Sequence, residues 1–119
     1  MLKGHLYIND DVFDTLLALT SEEQSRGLMF VEAPTPIMSF CYEVPQLNTF
    51  WMKNTPAPLD IIFCLKGKID KICYGKPFST EMITNSNLSD LIVEMPYGTC
   101  KKLGFKSGDN IGIIKKNNL

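Results

Sequence analysis

Leu59-Asp60-Ile61-Ile62-Phe63-Cys64-Leu65-Lys66-Gly67-Lys68-Ile69-Asp70-Lys71-Ile72-Cys73-Tyr74 is the stretch on which the fold turns. Its first seven residues are rich in Ile, Phe and Leu, which predicts a strand over 59–65. Lys66-Gly67-Lys68 then reads as a tight turn into a second strand over 69–74, so the pair is expected to be a hairpin. Side chains of a strand alternate between two faces. Leu59, Ile61 and Phe63 therefore share one face, and Asp60, Ile62 and Cys64 share the other. Asp60 sits at the mouth of an otherwise apolar row.

Working outward, the apolar period stays near two. Leu6 and Ile8 alternate with His5, Tyr7 and Asn9. After Asp10-Asp11, the residues Phe13, Thr15, Leu17 and Leu19 lie on one side of a second strand. Further strands are predicted over 37–42, 47–52, 91–95 and 110–114, the last introduced by the Ser107-Gly108-Asp109 turn. One segment breaks the pattern. Thr20-Ser21-Glu22-Glu23 has the form of a capping box and predicts a helix over 21–26 that stops at Gly27. Residues 101–103, before Gly104, can form another short helical turn. The apolar-poor stretch 76–90 reads as a long surface loop. About eight short strands with little helix to cover an open edge argue for closure. The expected fold is mainly β: a compact β-barrel or jelly-roll-like sandwich with one short helix near residues 21–26, built as a single domain over 1–119.

Composition limits the function classes. The chain has 119 residues, 45% of them hydrophobic and 21% charged. A chain this long buries about 65% of its unfolded surface and can build a core without staples. Twelve basic residues against 13 acidic ones leave a net charge of −1, so no general attraction draws it to phosphate backbones or anionic lipid. Neither nucleic acid nor membrane is an expected partner. No apolar stretch is long enough to span a bilayer, and no signal-peptide apolar region precedes Asn9-Asp10-Asp11. The expected location is the cytoplasm.

The four cysteines, Cys41, Cys64, Cys73 and Cys100, contain no CxxC pair, and His5 is the sole histidine. Structural zinc sites need closely spaced ligand pairs, so neither a metal nor a cofactor is expected. Three of these cysteines sit in apolar runs and read as small buried hydrophobes rather than disulfide partners.

Chemistry-bearing residues concentrate in Phe50-Trp51-Met52-Lys53-Asn54-Thr55-Pro56-Ala57-Pro58-Leu59-Asp60. Two prolines make the middle of this segment a stiff extended connection. Alternation sends Trp51 and Lys53 to one side. Glu94 lies inside Leu-Ile-Val-Glu-Met, where a carboxylate must either emerge at a rim or meet a cation, because burial without a partner costs several kcal/mol. Lys53 and Arg26 are the first candidates for that cation. Plainer readings stand beside these. A Glu–Lys pair can simply set strand register, Trp51 can fill a core, and Asn54 and Thr55 can cap a turn.

Arg26-Gly27-Leu28-Met29, Phe50-Trp51-Met52-Lys53-Asn54-Thr55, Pro58-Leu59-Asp60-Ile61-Ile62-Phe63, Val93-Glu94-Met95-Pro96-Tyr97-Gly98, Leu103-Gly104 and Gly108-Asp109 recur in this order and spacing in a known family. The chain resembles the family catalogued as domain of unknown function 192 over nearly its whole length. The resemblance implies a small, mostly β domain with one short helix and implies no particular activity. Many relatives carry signal peptides, and none is expected here. The family's shared positions fall on Gly27, Met29, Trp51, Lys53, Asn54, Thr55, Asp60, Glu94 and Gly98.

The functional expectation is a cleft that binds a small polar ligand, lined by Trp51, Lys53, Asp60 and Glu94, with Asn54, Met29 and Arg26 contributing. Two alternatives stand beside it. One is a structural or protein-interaction domain in which the charged residues brace the interior. The other is a hydrolase-type enzyme using Asp60 and Glu94 as acid and base.

Overall fold

A computed structural model describes residues 1–115. Within them run β1 (Leu2–Ile8), β2 (Asp11–Ala18), α1 (Ser21–Arg26), β3 (Met38–Gln46), β4 (Thr49–Phe50), β5 (Leu59–Leu65), β6 (Lys68–Gly75), β7 (Ile83–Thr84), β8 (Ser89–Pro96), α2 (Thr99–Leu103) and β9 (Ile111–Lys115). Seven strands form one sheet in the order β6-β5-β8-β3-β2-β1-β9. Every pairing in it is antiparallel except β2–β3. A parallel pair needs a crossover rather than a tight turn. The segment carrying α1 supplies it.

The β5–β6 hairpin forms as its sequence demands. Its two-residue loop places Lys66 at φ 49° and Gly67 at φ 79°, the positive values that primed hairpin turns require. The helix is also local in origin. Glu23 N donates to Thr20 Oγ1 at 3.1 Å and Thr20 N donates to Glu23 Oε1 at 3.1 Å, which closes the capping box.

Burial divides the sheet's side chains into two clusters. Leu6, Ile8, Ile62, Cys64, Ile69, Val93, Met95 and Ile111 form one, together with Cys100 and Phe105 from the α2 region. Because this cluster unites both edge strands with the central ones, it is the inside of the curl. Leu59, Ile61, Phe63, Ile92, Phe40 and Met38 form the other on the opposite face, where Leu28, Met52 and Ala57 cover them. β5 and β8 are thus buried on both sides, which explains why neither shows the polar alternation of a half-exposed strand.

The sheet is a curled half-barrel whose edges meet at one end only. There Ile69 N donates to the Asp109 carbonyl at 2.9 Å, Gly108 N to the Ile69 carbonyl at 2.8 Å and Ile111 N to the Gly67 carbonyl at 3.0 Å. The expected strand over 47–52 shrinks to β4. It pairs with β7 in a separate two-stranded ribbon, so the stretch read as a loop over 76–90 contains a strand and the start of β8. The reason is a turn at residues 52–55, where Thr55 N donates to the Met52 carbonyl at 3.0 Å and Asn54 takes φ 57°. No helix of the described residues is long and apolar enough to cross a membrane.

Phe63 is fully buried and stacks edge-on against Phe50 at 6.2 Å. Phe63→Ala is expected to lower stability by about 3–5 kcal/mol in urea unfolding. Val44→Ala, at a side chain that is 71% exposed, should stay within about 0.5 kcal/mol.

Candidate functional site

The register of β8 decides where Glu94 goes. It lies opposite Ile61 of β5 and Met38 of β3, so it shares the face of Leu59, Ile61 and Phe63. Only 4% of Glu94 is exposed, and its Oε1 has no hydrogen-bond partner. Among the described residues no ion pair joins it to Lys53 or Arg26, so the counter-charge that the sequence asked for is not supplied from within. Burial alone pushes its pKa up to about 8. At neutral pH the carboxyl is mostly protonated.

Above Glu94 opens a cleft of about 490 Å³. One wall is α1 and the turn after it, which contribute Gln24, Arg26, Gly27 and Met29. The other comes from Phe40 and Tyr42 of β3, Phe50 of β4 and the adjoining Trp51. Helix α1 is held down by Gln24, whose Nε2 donates to the Ala18 carbonyl at 3.1 Å and the Cys41 carbonyl at 3.4 Å. Gly27 ends the helix at φ 51°, ψ −131°, a conformation that L side chains rarely adopt. A Cβ built there would lie 3.5 Å from both Glu94 Oε1 and Phe40 Cζ, so the helix stop also sits directly against the acid. The Phe40 and Phe50 rings meet edge to face at 5.0 Å. Burial, with smaller contributions from Cys41 and Glu94, raises the Tyr42 phenol to about 12, so it is a neutral hydroxyl.

The residues expected from the sequence separate into groups. Arg26, Met29, Trp51 and Glu94 line this cleft together. Trp51 stands at its rim, 38% exposed. Lys53 is exposed and is not among the lining residues, but its Nζ lies 5.2 Å from the Trp51 ring centroid, in the range of a cation–π contact. Asn54 holds the turn at 52–55, and its carbonyl accepts from Phe30 N at 2.7 Å. Thr55 Oγ1 donates to the Lys53 carbonyl at 3.2 Å, the turn-capping role.

Asp60 goes elsewhere. It lies opposite Met95, on the inner face, and its Oδ2 accepts from Cys100 N at 3.0 Å. It thereby satisfies a first-turn amide of α2, whose N-cap is Gly98 and has no side chain to do so. Asp60 and Glu94 therefore point to opposite faces of the sheet and share no cavity, which removes the geometry that an acid–base pair would need. Lys53, placed beside Trp51, does not brace the two carboxylates either.

Sequence reading missed Tyr42 and Gln24 as lining residues. Tyr42 was accessible in principle, being two positions beyond Phe40 on one strand face. Gln24 was not, because its role depends on where the short helix docks. Asn48 is another: its Nδ2 donates to the Ser89 carbonyl at 3.4 Å, across a register shift between Cys41 and Gln46 that nothing local announces.

Two tests follow from these placements. Asp60→Ala leaves the Cys100 amide without its buried acceptor and is expected to cost about 1–3 kcal/mol in urea unfolding. For Glu94, burial raises the pKa from 4.5 to about 8. Between those values the folded protein keeps a proton that the unfolded chain has lost. The stability tied to this group is therefore complete below the lower value and lost as pH rises through the upper one. Glu94→Gln cannot ionise. Its unfolding free energy relative to the parent should rise across this window by on the order of a few kcal/mol, measured as paired urea titrations from acidic to mildly alkaline pH.

Comparison with known proteins places the chain among uncharacterised relatives. The family model DUF192, described as an uncharacterized ACR, matches residues 5–113. A crystal structure of a protein of unknown function from Novosphingobium aromaticivorans DSM 12444 superposes with a TM-score of 0.85 at 32% identity, covering 91% of this chain and 83% of that one. A crystal structure from Sinorhizobium meliloti 1021, described as a candidate transcription regulator, superposes with a TM-score of 0.86 at 28% identity, covering 93% of each chain. No curated protein matches the chain.

Proposed function

We propose, for a chain that belongs to the DUF192 family, that its function is to bind a small polar ligand with an apolar face in the cleft between α1 and strands β3 and β4. One observation carries this reading: a carboxyl that is 4% exposed, with Oε1 enclosed and unpartnered and no ion pair among the described residues, lines a cavity of about 490 Å³. A buried polar atom left without a partner costs about 1–3 kcal/mol, more if charged. A ligand that bonds to the carboxyl from the cavity side offsets part of the cost of burying it. The cavity lies within the usual range of volume for small-molecule sites, and its lining joins aromatic side chains to many polar ones, as a ligand with both polar and apolar parts requires.

Each residue then has a distinct part. Glu94 anchors the polar group of the ligand at the floor. Phe50 and Trp51 supply the aromatic contact surface, with Phe40 packed edge to face against Phe50. Arg26 and Met29 flank the mouth. Lys53, with its Nζ 5.2 Å from the Trp51 ring centroid, orients the indole and so acts on the ligand through Trp51. Asn54 and Asp60 hold the scaffold. Transcription regulation, the description of the S. meliloti structure, rests on DNA contact in most regulators, and that draws on clustered positive charge. With a net charge of −1, small-ligand binding is the better-supported reading.

A thermal-shift screen over sugars, amino acids, amines and small carboxylates should find stabilising compounds. The best of them is expected to lose roughly tenfold or more in affinity in Trp51→Ala, because the ring supplies much of the contact area. The absence of any stabilising compound, or full affinity in Trp51→Ala, would remove the support for this reading.

A further inference from the structure

We infer that the ligand of this cleft is a small organic cation: an ammonium whose N–H donates to the Glu94 carboxylate and whose carbon substituents lie against Phe50 and Trp51. This rests on the binding reading above and adds the chemical class.

The argument begins from what surrounds the acid. On β3 the titratable group facing the cleft is Tyr42, a neutral phenol; on α1 it is Arg26, exposed at the mouth; β5 places Ile61 opposite Glu94. The nearest part of the α1 turn is Gly27, which brings no side chain at all. Burial is the one influence that moves the Glu94 pKa, and no neighbouring cation acts to lower it. The fold thus places an acceptor at the bottom of a cavity and leaves out the positive partner that a buried carboxylate requires.

Three ligand chemistries can then be weighed. An anion meets Glu94 with the wrong sign once the acid ionises and finds a positive group only at the mouth. A neutral hydroxyl can bond to the acid in either form, but it brings no counter-charge to a buried carboxylate. A cation gains most. It supplies the missing counter-charge, donates a hydrogen bond to the carboxylate, and lies beside aromatic side chains, whose π systems attract positive charge. The walls already show this preference from outside, where Lys53 Nζ stands over Trp51 at 5.2 Å. Binding by this route expels the Glu94 proton to solvent. Affinity therefore rises with pH until the free protein's acid is fully ionised.

The test uses three probes of one shape: n-butylammonium, n-butanol and butyrate. Each is titrated into the full chain and followed by the side-chain resonances of Phe40, Phe50 and Trp51. Butylammonium is expected to bind best and to tighten roughly tenfold or more between about pH 6.5 and about pH 8.5, where the amine itself stays protonated. In Glu94→Gln that pH dependence should vanish, and affinity at the higher pH should fall by roughly tenfold or more. The pH series on the unmutated chain carries the same information should the variant fold poorly. Butanol or butyrate binding as tightly as butylammonium, or butylammonium affinity that does not rise with pH, overturns the cation while leaving the cleft a binding site. No response of the three aromatic residues to any probe overturns both.

Discussion

Burial of β5 and β8 on both faces is the constraint from which the rest of the molecule follows. Two adjacent strands that expose neither side need a cover above and below. The inner cover comes from curling the sheet until Ile69 and Ile111 join Ile62, Cys64 and Val93, with the α2 region filling the remaining space. The outer cover must come from chain that is not in the sheet. α1 and its turn bring Leu28, while the 49–58 segment brings Phe50, Met52 and Ala57. Burial of apolar area is non-directional and proportional to the surface removed from water. It holds these covers in place without dictating that they close every gap.

Backbone hydrogen bonds position the outer cover. The turn at 52–55 gathers three other points of the chain. Asn54 O accepts from Phe30 N at 2.7 Å, Thr55 O accepts from Phe78 N at 3.0 Å, and Met52 N donates to Ser79 O at 2.9 Å. This short segment therefore pins the loop after α1 and the loop before β7 to one place. Met52, fully buried, fits where Gly75 has no side chain; a Cβ there would lie 2.7 Å from the Met52 sulfur. Polar residue types at 54 and 55 are explained by the turn. Trp51, 38% exposed at the cleft rim, is the member of the segment that neither the turn nor the core explains.

The two buried acids show how one physical rule yields different outcomes. A buried carboxyl needs donors. Asp60 finds one in the first turn of α2 and becomes a fixed joint between the sheet and the helix. Glu94, on the other face, finds none at Oε1 and remains as an open demand at the floor of a cavity. The difference lies in what covers each face: a helix start presents backbone N–H groups, whereas the turn after α1 presents a glycine.

The amino-acid sequence by itself determined whatever depends on neighbours in the chain. The β5–β6 hairpin follows from an apolar run and a two-residue turn, α1 from its capping box, and the alternation of Leu59, Ile61 and Phe63 against Ile62 and Cys64 from the pleat alone. The prominence of Trp51, Lys53, Asn54, Asp60 and Glu94 was legible too, since polar types in apolar settings and the motif they share stand out without coordinates. Tertiary structure decided which of them meet. Asp60 and Glu94 lie on opposite faces because the β5–β8 register pairs Asp60 with Met95 and Ile61 with Glu94. No local propensity encodes that register. The cleft depends likewise on the crossover between parallel β2 and β3, which lays α1 beside Phe40 and Tyr42. Contacts between residues so far apart in the chain are set by how two apolar faces are covered at once, a condition on the whole chain that no single segment carries.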